Sequence, residues 1–286
     1  MELTPQSPKG ATTKHRRIRR VLGAFTLPLA GIVLSGCKVP SFYVHEGATE
    51  TSKSVYHLWQ GFSVAAVIIG AFTFALIMWA VLRYRRKGDT IPKQTQYHIP
   101  LELVYTIVPI LIVVGLFVST IVVENKVVAM PPTKTAIHVN AFQWGWGFTY
   151  DGQNAISVGS DTATPTMWMP VDTDVKITLT ASDVVHGFYV PQFNFSRYAL
   201  PGVKNQFTLH ALKTGTYFGQ CAQMCGLYHT IMYFQVKVVT QAQYNAWLAT
   251  FNTPEGKAKA EAARKALAGQ MSAHTPVKTE ISRGAN

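Results

Sequence analysis

Two long apolar runs constrain this chain more than any other feature of its sequence. They cover roughly residues 58–82 and 101–123. At about 1.5 Å per residue, each run is long enough as a helix to cross a bilayer core about 30 Å thick. The connector, residues 83–100, carries five basic residues: Arg83, Arg85, Arg86, Lys87 and Lys93. Because Lys and Arg are enriched in cytoplasmic loops, we expect the connector inside and both ends of the hairpin outside.

The charge distribution favours a membrane protein over a nucleic-acid-binding protein. The chain is 48% hydrophobic and 14% charged, with a formal net charge of +12. Much of the positive charge lies in residues 15–20 and 83–87, which flank apolar segments, whereas residues 124–251 contain 7 Lys or Arg and 6 Asp or Glu. Basic flanks of this kind set membrane topology. We therefore expect an integral membrane protein with no nucleic-acid partner.

The first 36 residues have the pattern of an export signal. A basic segment is followed by the apolar residues 21–34 and then by Ser35, Gly36 and Cys37. This ending resembles a bacterial lipobox, so we predict cleavage after Gly36 and lipidation of Cys37. The alternative is an uncleaved membrane helix with an incidental cysteine. The predicted order is therefore a signal peptide at 1–36, an extracytoplasmic segment at 37–57 and the transmembrane hairpin at 58–123.

A β-rich domain is predicted after the hairpin, over residues 124–252. Short β-branched or alternating runs such as "DVKITLTA" and "YFQVKVV" are separated by Gly, Pro and Asn. Strands at this spacing favour a β-sandwich or a Greek-key barrel. The remaining residues, 253–286, are predicted to form an Ala/Lys-rich helix followed by a disordered tail.

The stretch "CAQMCGLYHTIM", residues 221–232, places four candidate metal ligands in one loop: Cys221, Cys225, His229 and Met232. In an oxidising compartment the two cysteines could form a disulfide, and with a second histidine they could bind zinc. A disulfide leaves His229 and Met232 unexplained, and zinc leaves Met232 unused. Thiolate, imidazole and thioether together are typical of electron-transfer copper sites. We favour copper, with His186 of "VVHGFYVPQF" as the second imidazole.

These motifs, taken in order, resemble subunit II of the haem-copper cytochrome c oxidases. The resemblance covers about residues 55–250 and includes the hairpin, "QWGWGF", "VVHGFYVPQF", "LPGVKNQFTL" and "GQCAQMCGLYHTIM". It implies an α+β membrane protein, with an N-terminal two-helix transmembrane hairpin and a C-terminal all-β cupredoxin-like Greek-key barrel. It also implies a dinuclear copper centre, CuA, with two copper ions. The implied ligands are His186, Cys221, Cys225, His229, Met232 and the backbone carbonyl of Gln223.

The resemblance assigns roles to two further residues. Trp144, the first tryptophan of "QWGW", matches the aromatic residue at which electrons enter the family's copper site. The alternative for Trp144 is a core or interface aromatic. Glu102, in "HIPLELVY", matches an acid at the entrance of a proton channel into subunit I. The alternative for Glu102 is a carboxylate that stabilises a helix N-terminus.

The sequence departs from the family pattern at two places. Gln223 stands where the family usually has a Glu that reaches a magnesium or manganese ion, and a neutral amide is a weaker ligand. We therefore expect little of that second metal. Acidic residues that usually attract a lysine-rich cytochrome c are scarce, so the expected donor is not a strongly basic soluble cytochrome. Two explanations fit: the donor is a cytochrome domain held within a supercomplex, or the organism lives in acid, where carboxylates would be protonated.

The resemblance implies the electron-input subunit of a proton-pumping terminal oxidase in the bacterial cytoplasmic membrane. Electrons from cytochrome c, or from a membrane-bound cytochrome c domain, would pass through CuA to haem in subunit I, where oxygen is reduced to water. This chain would then supply no catalytic residue and no haem, and subunit III would be a further partner. The alternatives are subunit II of a quinol oxidase, which typically lacks the copper ligands, and a copper-storage or copper-delivery membrane protein.

Overall fold

The computed structural model describes residues 44–86, 88–89, 91, 94–159 and 164–273. The predicted signal peptide, the predicted lipidation site Cys37 and the predicted disordered end after residue 273 lie outside the described residues.

The two apolar runs form two long helices, α1 (Glu50–Arg83) and α2 (Ile99–Val127). Both are long and apolar enough to cross a membrane, and their apolar side chains are largely exposed in the isolated chain. Side chains that face lipid or partner subunits have this exposure pattern. The two helices also contact each other.

The helices extend beyond the predicted hairpin boundaries of 58 and 123. α1 begins at Glu50 because Thr49 caps it: the Thr49 hydroxyl accepts a hydrogen bond from the Ser52 amide at 3.1 Å, and the Ser52 hydroxyl accepts one from the Thr49 amide at 2.9 Å. α2 continues to Val127, four residues past the end of the second apolar run. Capping and backbone hydrogen bonding set the ends of a helix, whereas the apolar run marks only the part that suits lipid.

The β domain consists of two five-stranded sheets. The first has the order β3-β2-β1-β5-β8, and the second has the order β4-β10-β9-β6-β7. The strands are β1 (Thr135–Phe142), β2 (Gly145–Tyr150), β3 (Ile156–Val158), β4 (Thr166–Pro170), β5 (Asp174–Ala181), β6 (His186–Val190), β7 (Phe195–Ala199), β8 (Asn205–His210), β9 (Gly215–Cys221) and β10 (Tyr233–Val239). The chain crosses repeatedly between the sheets, as in Greek-key proteins.

Aromatic side chains from both sheets form the core between them. The ring centroids of Trp146 on β2 and Phe234 on β10 are 5.0 Å apart, and those of Phe188 on β6 and Phe207 on β8 are 6.0 Å apart. All four side chains are buried. The predicted fold class, a membrane hairpin followed by a cupredoxin-like β domain, is confirmed.

Two helices follow β10 and cover the β domain. α3 (Gln241–Thr250), which the sequence patterns did not predict, begins at a capping box of Thr240 and Gln243. Its Trp247 stacks on Trp168 with ring centroids 5.1 Å apart. α4 (Pro254–Ala273) occupies the Ala/Lys-rich stretch and packs against the edge strand β3. A covered sheet edge is protected from pairing with another chain.

The residues just before α1 join the membrane hairpin to the β domain. The Leu212 amide donates a hydrogen bond to the Ala48 carbonyl at 2.8 Å, and the Ala48 amide donates to the Gln192 carbonyl at 2.9 Å. Thr49, which forms a β-bridge with Ala211, is fully buried. The outer end of α1 is therefore attached to the β domain by backbone hydrogen bonds.

Candidate metal centre

Strand pairing brings the separate parts of the candidate site together. β9 ends at Cys221 and β10 begins at Tyr233, so the loop with the candidate ligands connects two neighbouring strands. β6 pairs with β9 on its other side, with Phe188 opposite Cys221. His186, the first residue of β6, therefore lies beside the start of this loop.

The five predicted side-chain ligands converge at the end of the second sheet. The Sγ atoms of Cys221 and Cys225 lie 3.7 Å apart, and the Cys221 Sγ lies 3.9 Å from the His186 Nδ1. The Cys225 Sγ lies 3.6 Å from the His229 Nδ1 and 3.8 Å from the Met232 Sδ. Both thiols are free, so the disulfide alternative is not the state of this structure.

Four of these five side chains are buried, and the fifth lies at the surface edge. His186 is 0% exposed and Met232 is 1% exposed, and both cysteines are buried as well. His229 is half-buried, in a short 3-10 turn. The ligand atoms of His186, Cys221 and Cys225 all lie within 4.8 Å of one another. Thiol, imidazole and thioether groups in this grouping form a suitable donor set for copper, since zinc sites use no methionine.

The two thiols have very different acidities. The hydrogen bond with the Cys225 thiol, together with a smaller contribution from His186, lowers the pKa of Cys221 to about 3. The same interaction raises the pKa of Cys225, because ionising both sulfurs would place two negative charges side by side. In the absence of metal the pair therefore holds one negative charge, and a bound cation would favour release of the second proton.

Asp183 orients His186 and is not among the residues predicted from the sequence. The Asp183 Oδ1 lies 2.8 Å from the His186 Nε2, and the carboxylate also accepts hydrogen bonds at 2.6 Å from the amides of Val184 and Gln143. With Nε2 bonded to the carboxylate, the Nδ1 atom faces Cys221 and can bind a metal. The spacing Asp-x-x-His in "SDVVH" was the available signal.

The hydrogen bonds of this pair shift both of its pKa values. Burial by itself would raise the pKa of Asp183, but the hydrogen bonds from His186, Val184 and Gln143 lower it overall. Burial would lower the pKa of His186, but the hydrogen bond with Asp183 and the contact with Cys221 raise it overall. The carboxylate therefore stays ionised and keeps the imidazole in one orientation.

Two glycines allow the backbone to come close to the site. A Cβ atom on Gly187 would lie 2.9 Å from backbone atoms of Ala222 and Gln223. Gly226 has a φ of +123°, and a Cβ atom there would lie 2.9 Å from the side chains of Gln143 and Trp144. Larger residues would push the loop away from β6 or from the β1–β2 turn.

Trp144 lies directly against the candidate ligand loop. Its Nε1 donates a hydrogen bond to the Cys225 carbonyl at 3.3 Å, and the same carbonyl accepts one from the Gln143 Nε2 at 2.6 Å. The half-buried indole packs edge-on against Tyr228, with ring centroids 4.9 Å apart. Trp146 is fully buried, and its Nε1 lies 3.5 Å from the Met232 carbonyl, as expected of a structural residue.

The two remaining predicted residues have different surroundings. The Gln223 carbonyl oxygen lies 3.2 Å from the Cys221 Sγ, so it is turned toward the cluster. Glu102 lies in the first turn of α2, away from the cluster, where its Oε1 accepts a hydrogen bond from the His98 amide at 2.9 Å. The His98 Nδ1 accepts one in return from the Leu101 amide at 3.2 Å. This geometry is that of a helix cap, the alternative role considered for Glu102.

A transmembrane hairpin joined to a two-sheet domain with a Cys, His and Met cluster defines a membrane-anchored cupredoxin-like protein. Two family models match the chain: "Cytochrome C oxidase subunit II, transmembrane domain" over residues 38–122, and "Cytochrome C oxidase subunit II, periplasmic domain" over residues 160–239. The chain belongs to the cytochrome c oxidase subunit II family.

Curated relatives match over most of their length. The probable cytochrome c oxidase subunit 2 of Streptomyces avermitilis is 31% identical, over 85% of this chain and 90% of the relative. The cytochrome c oxidase subunit 2 of Corynebacterium diphtheriae is also 31% identical, over 82% of this chain and 85% of the relative. The solved periplasmic domain of subunit II (CoxB) of Bradyrhizobium japonicum is 26% identical and covers 48% of this chain and 99% of that chain, with a TM-score of 0.39. The family assignment rests on the sequence matches.

We predict that Asp183→Asn weakens copper binding by about 10- to 100-fold while the β domain remains folded, because the neutral amide no longer fixes the His186 ring. The measurement is copper affinity by competition with a chelator, with near-ultraviolet circular dichroism to monitor folding. Asp172→Asn is the matched control, since Asp172 is exposed and its φ of 51° suits asparagine. Unchanged affinity in Asp183→Asn would contradict the orienting role.

Proposed function

We propose that this chain is the electron-input subunit of a terminal oxidase and that its β9–β10 loop, together with His186, holds a dinuclear CuA centre. The observation that carries the proposal is the convergence of two thiols, two imidazoles and a thioether, each within 3.9 Å of a cysteine sulfur. When bound, the copper pair would accept single electrons and pass them on with little structural change. Zinc binding alone would give Met232 no role.

The surrounding residues suit a site that changes little during electron transfer. Cys221 and Cys225 supply soft, negatively charged donors, and Asp183 holds His186 in place. Gln143 and Trp144 both donate to the Cys225 carbonyl, so the loop is fixed from the side of the β1–β2 turn. Ligands held in place by buried hydrogen bonds need little rearrangement when the charge of the site changes.

Trp144 is the proposed point at which electrons arrive. The indole is partly exposed and is hydrogen-bonded to the carbonyl of a proposed copper ligand, Cys225. It therefore provides a short connection between the protein surface and the ligand loop. The contact with Tyr228 adds a second aromatic ring at the same surface.

The surface around Trp144 favours a donor that docks through apolar contacts. Exposed apolar side chains of the loop are Met224 (73%), Leu227 (78%), Tyr228 (42%) and Ile231 (42%). Residues 222–232 contain no Asp, Glu, Lys or Arg. The proposed partner is therefore a cytochrome c, or a membrane-bound cytochrome c domain, with an apolar docking face.

We predict that electron transfer from the natural donor depends only weakly on salt, because the loop beside Trp144, residues 222–232, has no Asp, Glu, Lys or Arg whose charge salt would screen. The measurement is the rate of electron uptake by the oxidase across a series of salt concentrations. A steep fall of the association rate with salt would show that charged residues elsewhere guide the donor.

The proposed assembly follows from the hairpin and the family. α1 and α2 would pack on subunit I, which holds the haems, and subunit III would complete the complex in the bacterial cytoplasmic membrane. The β domain would lie on the extracytoplasmic side, opposite the basic connector. Gln223 offers an amide in place of a carboxylate, so magnesium or manganese would bind weakly at the junction with subunit I.

We predict that Cys221→Ser or His186→Ala abolishes oxygen consumption with a reduced cytochrome donor and removes the purple colour and mixed-valence electron paramagnetic resonance of CuA. Each variant lacks one ligand of the copper pair. Cys225 and Met232 remain in both variants, so residual copper binding should give a different spectrum. Full turnover in either variant would rule out the copper assignment. A colourless wild type would favour the quinol oxidase alternative, and a cuprous wild type that exchanges its metal would favour copper delivery.

We predict that Trp144→Ala slows electron uptake by orders of magnitude while the copper spectrum stays intact, because the variant loses a connecting group and keeps every ligand. The measurement is stopped-flow electron transfer from the reduced donor. Phe218→Ala is the matched control, since Phe218 is an exposed aromatic side chain of β9 that contacts Tyr233. Equal rates in wild type and Trp144→Ala would mean that the donor docks elsewhere.

A further inference from the structure

A cavity of about 330 Å³ lies where the outer ends of both membrane helices meet the first sheet of the β domain. This volume is near the lower end of the range for small-molecule sites, about 300–1,000 Å³. Its lining includes Glu50 from the first turn of α1, Lys126 from the last turn of α2 and three residues of the sheet, Asp174, Thr208 and His210. The cavity is separate from the copper ligands.

The position of this cavity along the helices places it at the level of lipid headgroups. Lys126 comes three residues after the second apolar run ends, and Glu50 comes eight residues before the first run begins. At 1.5 Å per residue these offsets are about 4.5 Å and about 12 Å outside the hydrocarbon core. The headgroup layer occupies about 5–7 Å on each side of that core. The cavity therefore spans this layer and its aqueous edge.

One buried hydroxyl in the cavity wall has no partner. Thr208 is 8% exposed, and its Oγ1 makes no hydrogen bond among the residues that the structure describes. Buried hydroxyl groups normally have hydrogen-bond partners, and those that lack one in a structure call for an explanation such as a bound ligand or water. A polar ligand atom in the cavity would supply the missing partner.

The charges of the cavity suit a ligand that carries both a positive and a negative charge. Glu50 and Lys126 are exposed, and neither forms an ion pair within the described part of the chain. Asp174 is already paired with His210, at 3.0 Å between Oδ1 and Nδ1. A purely anionic ligand would be repelled by the carboxylates of Glu50 and Asp174, and a purely cationic ligand would be repelled by the Lys126 ammonium. A ligand with a phosphate and an ammonium group could satisfy both.

We propose that this cavity binds the headgroup of phosphatidylethanolamine. The lipid phosphate would lie against the Lys126 ammonium and accept a hydrogen bond from the Thr208 hydroxyl, and the lipid ammonium would lie against the Glu50 carboxylate. The acyl chains would follow the exposed apolar surface of the two helices into the membrane. The site depends on the membrane position of the hairpin and is independent of copper binding.

The test is lipid binding by the intact, delipidated oxidase in detergent, measured by native mass spectrometry with short-chain phosphatidylethanolamine. We expect one lipid per chain at this site, and at least about tenfold weaker binding of short-chain phosphatidylglycerol, which has no ammonium group. Lys126→Gln and Thr208→Val should each weaken phosphatidylethanolamine binding by about tenfold. Lys53→Gln, on the same turn of α1 but outside the cavity lining, should bind like wild type.

Four results would overturn the proposal. The first is equal binding of the two lipids, and the second is unchanged binding in both cavity variants. The third is binding of soluble O-phosphoethanolamine as tight as that of the lipid, which would identify a soluble ligand instead. If the isolated chain binds the lipid and the intact oxidase does not, a partner subunit fills the cavity and the proposal is wrong. The copper spectrum of each sample is recorded in parallel, so that failure of the copper site is recognised separately.

Discussion

The antiparallel pairing of β6 with β9 is the constraint on which the candidate metal centre depends. It places Phe188 opposite Cys221 and so brings His186 to the loop that holds the other ligands. A shift of one residue in this register would turn His186 to the opposite face of the sheet. Gly187 allows the close approach, because any Cβ atom there would meet the backbone of the loop. The grouping of the candidate ligands is therefore a consequence of the second sheet.

A shell of hydrogen bonds around the ligands connects three separate parts of the β domain. Asp183, after β5, binds the His186 ring and the Gln143 amide, and Gln143 and Trp144 in turn donate to the Cys225 carbonyl. The loop with the candidate ligands is thus tied to both sheets by polar contacts that are buried or partly buried. Such contacts are strong when every member is satisfied, which explains how the loop can keep two thiols close together.

The attachment of α1 to the β domain has consequences at the membrane surface. Backbone hydrogen bonds from Ala48 reach both Gln192 and Leu212, and the Thr49 cap starts the helix immediately afterwards. The β domain is therefore held close to the outer ends of the helices. This arrangement also creates the charged cavity, whose walls come from parts of the chain that are distant in sequence.

The sequence by itself determined the features that depend on neighbouring residues. The two apolar runs predict membrane helices through their length and composition, and the Cys, His and Met spacing of one loop predicts a soft metal site. The tertiary structure alone decided the contacts of Gln143 with Asp183 and with the Cys225 carbonyl, and the docking of Trp247 of α3 on Trp168. These features depend on which segments pack together, and the pairing of distant strands and helices follows from the folded core rather than from any local pattern.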